Sequence, residues 1–513
     1  MSNEDLDVPV LIVGGSIVGL SLSLFLAHHG VEVCTVERHH GTALHPRARG
    51  FHERTVELFR ASGVAAQLEA LASVGAAPQL MPLSLVVHDL RSPAAPQAQA
   101  QFAGPPLREA FPPARFVYLG QDRVEPIVWS AARAAGADIR FAHELLDLTV
   151  KPDCVEAQIG VRDSGGRYRV RAQYLVAADG ARSSIRTRLG VTQSGRGSMG
   201  HSVACLFDAD LSEIQKERSF GFAQITHPEA GGVIVRTDVP NRYIYSTGYD
   251  PSKQSAEDFT AERFHKLLRL ATGLPDLEPV HRGSFPWEVA ERVADRFSVG
   301  RVFIVGDAAH QMPPTGGFGA NVGIQDAANL AWKLAFVLSG EASPSLLETY
   351  DQERRPVAAA TADHAAVNAL RMVPEKRETV RDIVLPDVAC MMRAYRYGLN
   401  PVVPLQMSDA AVSGEVGARA PHIWLDAEQT RSTLDLFDRK LVLISPDIRW
   451  SEAAAHGVTF AHVPATADSY KLGSEGAALV RPDAFVAARW QNAPEDRKQA
   501  VANAVEALLH PRA

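Results

Sequence analysis

Cysteine is scarce in this chain: Cys34, Cys154, Cys205 and Cys390 lie far apart among 513 residues, with no CxxC pair. That excludes a disulfide-stapled fold and a paired-thiol zinc or redox site, and predicts reduced, buried thiols. No apolar run approaches the roughly 20 residues that a membrane-crossing helix needs. No block of Lys and Arg offers the footprint of a nucleic-acid binder, and the net charge of −7 is mild for this length. No short-period repeat is present, and no metal is expected. The opening MSNEDLDVPV is acidic and leads straight into a strand, unlike a secretory signal. A cytoplasmic protein with neither a nucleic-acid nor a membrane partner is the expectation.

What is present is a globular composition, 46% apolar and 22% charged. The length exceeds one ordinary core, so two or three domains are expected. The organising stretch is VFIVGDAAHQMPPTGGFGANVGIQDAANLAWK, from Val302 to Lys333. Val302 to Val305 reads as a short buried strand. Gly306 and Asp307 follow, where a carboxylate at a strand tip can reach a ligand hydroxyl. A loop holding Pro313, Pro314, Gly316, Gly317 and Gly319 comes next. From Asn321 the spacing of Val322, Gln325, Asn329 and Lys333 predicts a helix. Small residues running into a helix start leave backbone N–H groups and the positive end of the dipole facing the loop, which favours negative charge.

The first residues spell a βαβ nucleotide unit. Val10 to Val13 reads as a strand, Gly14-Gly15-Ser16-Ile17-Val18-Gly19 as the turn, Leu20 to His28 as a helix, and Glu32 to Val36 as a second strand before Glu37. An acid about twenty residues past the turn is placed to accept from a ribose hydroxyl. Gly14 makes the turn, Gly19 lets the helix approach, and Ser16 stands where a glycine is usual. The fingerprint alone does not separate FAD from NAD. His45-Pro46-Arg47-Ala48-Arg49-Gly50 is either a solvated loop or a clamp for phosphate or a ring edge. Asp179-Gly180-Ala181-Arg182-Ser183-Ser184-Ile185-Arg186 suits phosphates and sugar hydroxyls, or else an N-cap by Asp179 or Ser183.

Further strands are predicted at Leu83–His88, Arg115–Leu119, Asp138–Phe141 and Leu148–Val150, and in a hairpin turning at Gly165-Gly166. A helix is predicted from Gln121 to Ala135. Val203–Phe207, Phe220–Ile225, Gly232–Thr237 and Arg242–Tyr249 suggest an antiparallel sheet. Its Tyr243, Tyr245, Tyr249 and Phe222 belong either to core or to a pocket, core being the commoner fate. Helices are predicted over Glu353–Leu370 and Glu375–Tyr397, then a linker at Pro401–Pro421. Strands at Leu441–Ser445 and Val458–Val463 and an apolar stretch from Leu479 to Val486 follow.

The turn at Gly14–Gly19, the DGxxSxxR stretch at Asp179–Arg186 and the GD stretch at Gly306–Asp307, with His310, Pro314 and Asn321, together resemble the single-component FAD-dependent aromatic hydroxylases of the p-hydroxybenzoate hydroxylase superfamily. PRARG and HERTVELF near Arg47 are similar to the branch acting on polycyclic aromatic polyketides. Only Ser16 departs clearly from the pattern.

The resemblance implies an α/β fold: a Rossmann-type FAD-binding domain, an inserted antiparallel-sheet substrate domain and a C-terminal thioredoxin-like α/β domain. It divides the chain into a monooxygenase region at 1–400 and the C-terminal domain at 401–513. Within the first, FAD binding falls at about 1–78, 108–190 and 285–400, and the substrate sheet at about 79–107 and 191–284.

It implies bound FAD, with Gly14, Ser16 and Gly19 at the pyrophosphate, Glu37 and Arg38 at the adenosine ribose, and Arg47 and Gln121 as further contacts. Asp179 would serve the pyrophosphate side and a transient NADPH or NADH, and Asp307 the ribityl chain. Gly319, Ala320 and Asn321 would face the N1/O2 edge of the flavin ring, with Pro313 and Pro314 in the loop beside it. The implied reaction is hydroxylation of an aromatic substrate with O2 through a C4a-hydroperoxyflavin, by a monomer or homodimer. A Baeyer–Villiger oxygenation and a non-catalytic FAD protein that sequesters a drug remain open. No residue is named as the base that ionises substrate.

Overall fold

The computed structural model describes residues 5–75, 84–93, 113–385, 391–392, 395–398, 414–454 and 457–511. Three sheets organise them. The first runs in the order Ser298–Val299, Val302–Ile304, Arg167–Ala177, Leu6–Val13, Val33–Glu37, Asp138–Phe141, with His143–Val150 and Val155–Val161 extending it beside Arg167–Ala177. Its central strands are parallel and carry unbroken apolar runs, as burial on both faces requires. Val13 lies level with Val36 and Ala177, and Ala177 with Ile304. The loops that follow these strands therefore leave one edge together.

Helix Ile17–His28 is buried almost all round, and its two interior serines return their hydroxyls to the carbonyls of Ile17 and Gly19 at 2.6 and 2.7 Å. Helix Phe318–Leu338 packs against it. The crossing is close because it is built from small residues: a methyl group on Gly323 would come within 2.6 Å of Val18 Cγ2 and 3.0 Å of the Gly306 Cα.

The second sheet has seven strands, in the order His310–Gln311, Val280–Ala294, Gln193–Asp208, Arg242–Tyr249, Gly232–Arg236, Phe222–Ile225, Ser84–Val87. Alternation sends Val203, Cys205, Phe207, Tyr243 and Tyr245 to one face, where helix Ala261–Thr272 covers them with Phe264, Leu268 and Ala271. That helix is delimited by its sequence, Thr260 accepting from the Arg263 amide at the start and Gly273 adopting φ +69° at the end.

The third sheet pairs Leu441–Ser445 in parallel with Val458–His462 and antiparallel with Ala477–Val480, which in turn pairs antiparallel with Val486–Trp490. Helix Arg497–Leu509 completes this α/β unit of thioredoxin type.

Several sequence expectations are revised. Arg115–Leu119 contributes only an isolated bridge, Val117 to Phe51, because the chain there crosses between sheets. The helix expected over Glu375–Tyr397 is a turn at Pro374–Arg377 and a 3-10 turn at Glu378–Val380, after which residues 381–385 are not helical. Leu479–Val486 holds the ends of two strands, reversed at Arg481–Ala484. The 15-residue strand Val280–Ala294 was not foreseen; bulges at three places break its alternation. Helix Phe318–Leu338 starts three residues before Asn321. Cys390, most of the expected Pro401–Pro421 linker and residues 94–112 lie outside the described residues.

The C-terminal unit is fastened by buried charge. The Glu57 carboxylate lies between Arg54 and Arg419, all three buried. Glu353 accepts from Lys333 at 2.8 Å and from Arg481, which also pairs with Asp483. Burial alone would raise the Glu57 carboxyl, but the charges of Arg419 and Arg54 outweigh it and hold it below the usual range. Asp326 and Glu353 are held down the same way by Arg354 and His310, and by Arg481 and Lys333.

Carboxyls with folded values below their unfolded values contribute stability above the unfolded value and lose it as pH falls toward the folded one. Stability should therefore begin to drop below about pH 4–5. Glu57→Ala removes the carboxylate shared by two buried guanidinium groups, and should destabilise by about 3–5 kcal/mol. Denaturant unfolding of the two proteins, repeated from pH 7 to pH 3.5, measures both effects; a loss below ~1 kcal/mol would deny the fastening role.

Candidate active site

The turn after the first strand is shaped by absence of side chains. Gly14 has φ +109°, and a Cβ there would lie 2.1 Å from the Ala178 carbonyl oxygen. A Cβ on Gly19 would lie 1.9 Å from the Gly14 carbonyl oxygen, so only glycine lets the helix press onto the turn. The Gly15 N–H donates to Glu37 Oε2 at 2.7 Å and the His39 N–H to Oε1 at 2.9 Å. Oε1 also meets His39 Nδ1 at 2.5 Å, so the Glu37 carboxylate is held at the turn with acceptor capacity left on Oε2. Arg38, beside it, is exposed. Ser16 precedes helix Ile17–His28 without capping it; its hydroxyl goes to Glu125 at 2.6 Å. Gln121 starts its helix below the turn, donating to Glu125 and Ser16 at 2.7 and 3.0 Å and accepting from the Ala48 N–H at 3.3 Å.

Asp179 follows the strand Arg167–Ala177. One carboxylate oxygen accepts from the Ser184 and Ile185 amides at 2.9 and 3.4 Å, and Ser183 caps Arg186 at 3.0 Å. The cap alternative therefore accounts for Ser183 and half of Asp179. Asp179 Oδ1 is buried without a hydrogen-bond partner. Arg186 joins this loop to the next motif, donating to the Ala308 carbonyl at 2.7 Å and the Ala181 carbonyl at 3.2 Å.

Asp307 sits in the 3-10 turn Gly306–Ala308, with its side chain open to the cleft. The protein crowding that cleft raises its carboxyl above the usual range, against the opposing charges of His310 and Arg47. Arg47 itself is exposed, on the same loop as the buried His45. Burial first, then Arg47 and Arg49, push the His45 imidazole down to about 4, so it is neutral at physiological pH.

The long helix begins at Phe318 after Gly317, whose φ of +66° and missing side chain leave the start uncapped. Helix geometry leaves the amides of Phe318, Gly319 and Ala320 without an acceptor in their own helix. Asn321 is fully buried: its Nδ2 donates to the Gly50 and Gly317 carbonyls at 2.9 and 2.7 Å, and its Oδ1 accepts from the His52 N–H at 2.8 Å. Gly317 N–H to the Pro314 carbonyl at 3.0 Å closes the loop, with Pro313 buried and Pro314 exposed.

Gly14, Ser16, Gly19, Glu37, Gln121, Asp179 and Asp307 thus stand along one sheet edge, with Arg47 and the Gly319–Asn321 helix start facing it. The tyrosines do not join them: Tyr243 and Tyr245 pack beneath helix Ala261–Thr272, and Tyr249 packs with them. Phe222 points to the opposite face by alternation. Behind Asp307 lies a buried set that sequence reasoning missed: His310 Nε2 on Asp326 Oδ2 at 2.7 Å, and Arg354 Nε on Asp326 Oδ1 at 2.8 Å. The Gly306 N–H reaches the same carboxylate at 3.3 Å. Asp326 carried a signal, as a carboxylate inside an apolar helix, but its partners are remote in the chain.

Two uncapped helix starts, an open carboxylate and an unpartnered buried carboxylate oxygen along one cleft fit an anionic dinucleotide with sugar hydroxyls. Among the described residues no His, Cys, Asp and Glu cluster fits a metal, and no helix is long and apolar enough to cross a membrane.

A largely parallel sheet with such an edge, beside a mainly antiparallel sheet with one face uncovered by its own helix, fits the FAD-dependent monooxygenase class. Residues 7–365 match the FAD binding domain family and residues 413–511 the aromatic-ring hydroxylase C-terminal family. The chain belongs to the FAD-dependent aromatic-ring hydroxylases.

It is 40% identical to a putative polyketide hydroxylase of Streptomyces halstedii, over 94% of this chain and 93% of that one. It is 37% identical to the tetracenomycin A2 monooxygenase-dioxygenase of Streptomyces glaucescens, over 99% and 98%. The structure of aklavinone-11 hydroxylase with FAD and aklavinone superposes with a TM-score of 0.88 at 34% identity, over 99% of this chain and 100% of that one.

Gly19→Ala drives a methyl group into the Gly14 carbonyl and should give protein without the flavin bands in the near-ultraviolet and blue. Absorbance of the purified variant checks this, and a normal flavin content would contradict the close approach.

Proposed function

We propose that this protein hydroxylates an electron-rich polycyclic phenol of the aromatic polyketide class, consuming NADPH or NADH and O2, as a monomer or homodimer. The observation that carries the reading is the second face of the seven-stranded sheet. Ala204, Leu206 and Ile244 form an apolar patch there, flanked by Phe285 and Trp287. Ala204 pairs with Phe285 and Ser202 with Trp287 across neighbouring strands, placing a hydroxyl beside the patch. The Ser202 hydroxyl meets that of Ser246 at 2.8 Å. Ala204, Leu206 and Ile244 are buried and Phe285 and Trp287 half-buried, and an apolar wall of this kind with few polar groups suits a fused aromatic ring system carrying oxygen substituents. Phe285 meets the His45 ring at 3.9 Å between centroids, and His45 shares its loop with Arg47, so the patch adjoins the cofactor cleft.

Bound FAD, once reduced, supplies the activated oxygen that a protein side chain cannot. Gly14, Glu37, Gln121, Asp179 and Asp307 would hold it. The uncapped amides at Phe318, Gly319 and Ala320 would stabilise negative charge on the ring edge against them by about 0.3–2 kcal/mol. The sheet face would hold the substrate ring and exclude water, while Ser202 and Ser246 would orient its oxygens. The C-terminal unit, with no paired thiols, would have a structural or dimer-contact role.

The test is NADPH or NADH consumption stimulated by a panel of polycyclic phenols, with product structures determined by NMR. A new phenolic hydroxyl is expected. A ring-expanded lactone would indicate a Baeyer–Villiger oxygenation, and tight binding without consumption a sequestering protein. Trp287→Ala should raise KM about tenfold, the loss of one aromatic contact of roughly 1–1.5 kcal/mol, with unchanged flavin absorbance. An unaltered KM would remove this face from the substrate site.

A further inference from the structure

Ser16 stands at the one clear departure of the glycine-rich turn, directly before helix Ile17–His28. Serine is among the best helix caps, its oxygen accepting from the second or third amide of the helix. Such a bond would occupy Val18 or Gly19, whose N–H groups are those a helix start offers to an anion. A serine here therefore competes with the ligand for its own helix.

The structure shows the competition suppressed. Ser16 makes no capping bond, and its hydroxyl lies 2.6 Å from Glu125 Oε1. Gln121 Nε2 donates to the Ser16 oxygen at 3.0 Å, so its proton and one lone pair are both engaged away from the helix. Glu125 is completely buried and held in place, Oε1 by Gln121 Nε2 at 2.7 Å and Oε2 by the Ala43 N–H at 2.6 Å. A carboxylate under an anion-binding turn works against the bound phosphates by like charge, so its presence calls for a compensating role. Among the described residues, the Ser16 hydroxyl is the group of the turn that hydrogen-bonds with it.

We propose that Glu125 is a latch: by taking the Ser16 hydroxyl it prevents that side chain from capping helix Ile17–His28 and keeps the Val18 and Gly19 amides free for the diphosphate of FAD. Glu125 is a positioning residue that acts through Ser16, and the inference rests on FAD binding at this turn.

Apoprotein of the wild type and of Glu125→Ala, Glu125→Gln, Ser16→Ala and the Ser16→Ala/Glu125→Ala double variant is titrated with FAD by fluorescence quenching. Hydrogen–deuterium exchange follows residues 14–20 of the same apoproteins. Glu125→Ala should weaken FAD binding about tenfold, the worth of one N-cap. Glu125→Gln, whose amide oxygen still accepts the hydroxyl, should stay within about twofold.

The double variant should bind like Ser16→Ala, because alanine cannot cap. Exchange at residues 14–20 should slow in the Glu125→Ala apoprotein, as a newly capped turn requires; a merely loosened structure would exchange faster. If Glu125→Ala does not fold, Glu125→Met, which keeps the volume, takes its place in both measurements. Equal binding by all variants, a double variant as weak as Glu125→Ala, or faster exchange would overturn the latch. Wild-type apoprotein that binds no FAD would instead overturn the cofactor reading itself.

Discussion

The contact on which the rest depends is Val18 wedged against Gly306 and Gly323. Two helices follow the strands on either side of Arg167–Ala177, and both offer unmet amides to the same cleft. Their separation is set by one valine side chain between two glycines, with Gly14 and Gly19 adding an equally close approach at the turn. A side chain at any of those glycines would force its neighbours apart. The positive ends of both dipoles are thus held in fixed relation before any ligand arrives, which is what preorganisation for a dianionic diphosphate and a charge-accepting ring requires.

The same helix carries this order outward. Asn321, Gln325, Asn329 and Lys333 recur every fourth residue and are all buried, so one polar seam runs down its length. Asn321 secures the Gly50–His52 segment, Asn329 reaches Glu353 and Tyr397, and Lys333 reaches Glu353. Beside the seam, Asp326 gathers His310, Arg354 and the Gly306 amide. Burial pushes Lys333 down to about 8, against the charge of Glu353. Buried charge of this density stabilises little by itself compared with apolar packing, but it leaves few alternative registers for the helix.

Much of this was legible in the sequence. The parallel strands announce themselves as apolar runs, the turns as glycine before a helix, and the strand-tip acids as Glu37, Asp179 and Asp307. Their common edge follows from strand register, which the residues do not state but the fold rules imply. What the sequence concealed has a physical cause in each case. Val280–Ala294 is broken by bulges, so its period is lost. Tyr243 and Tyr245 could belong to either sheet face until helix Ala261–Thr272 was seen to cover one. The partners of Asp326 and Glu353, and Arg419 as the second partner of Glu57, lie tens to hundreds of residues away, and a single chain holds no record of such pairings. Ser16 was visible as an exception, while Glu125, which explains it, looked like any helical carboxylate.

The way the last hundred residues are attached bears on how such enzymes can diversify. Arg419, Arg481 and Asp483 on that unit fit only a body that supplies Glu57, Glu353 and Asn329 in return. A transplant between relatives would carry half of each pair and strand the other half in the dry. The two parts of this chain are therefore a matched set, and an exchange of either one would have to rebuild both sides of the seam at once.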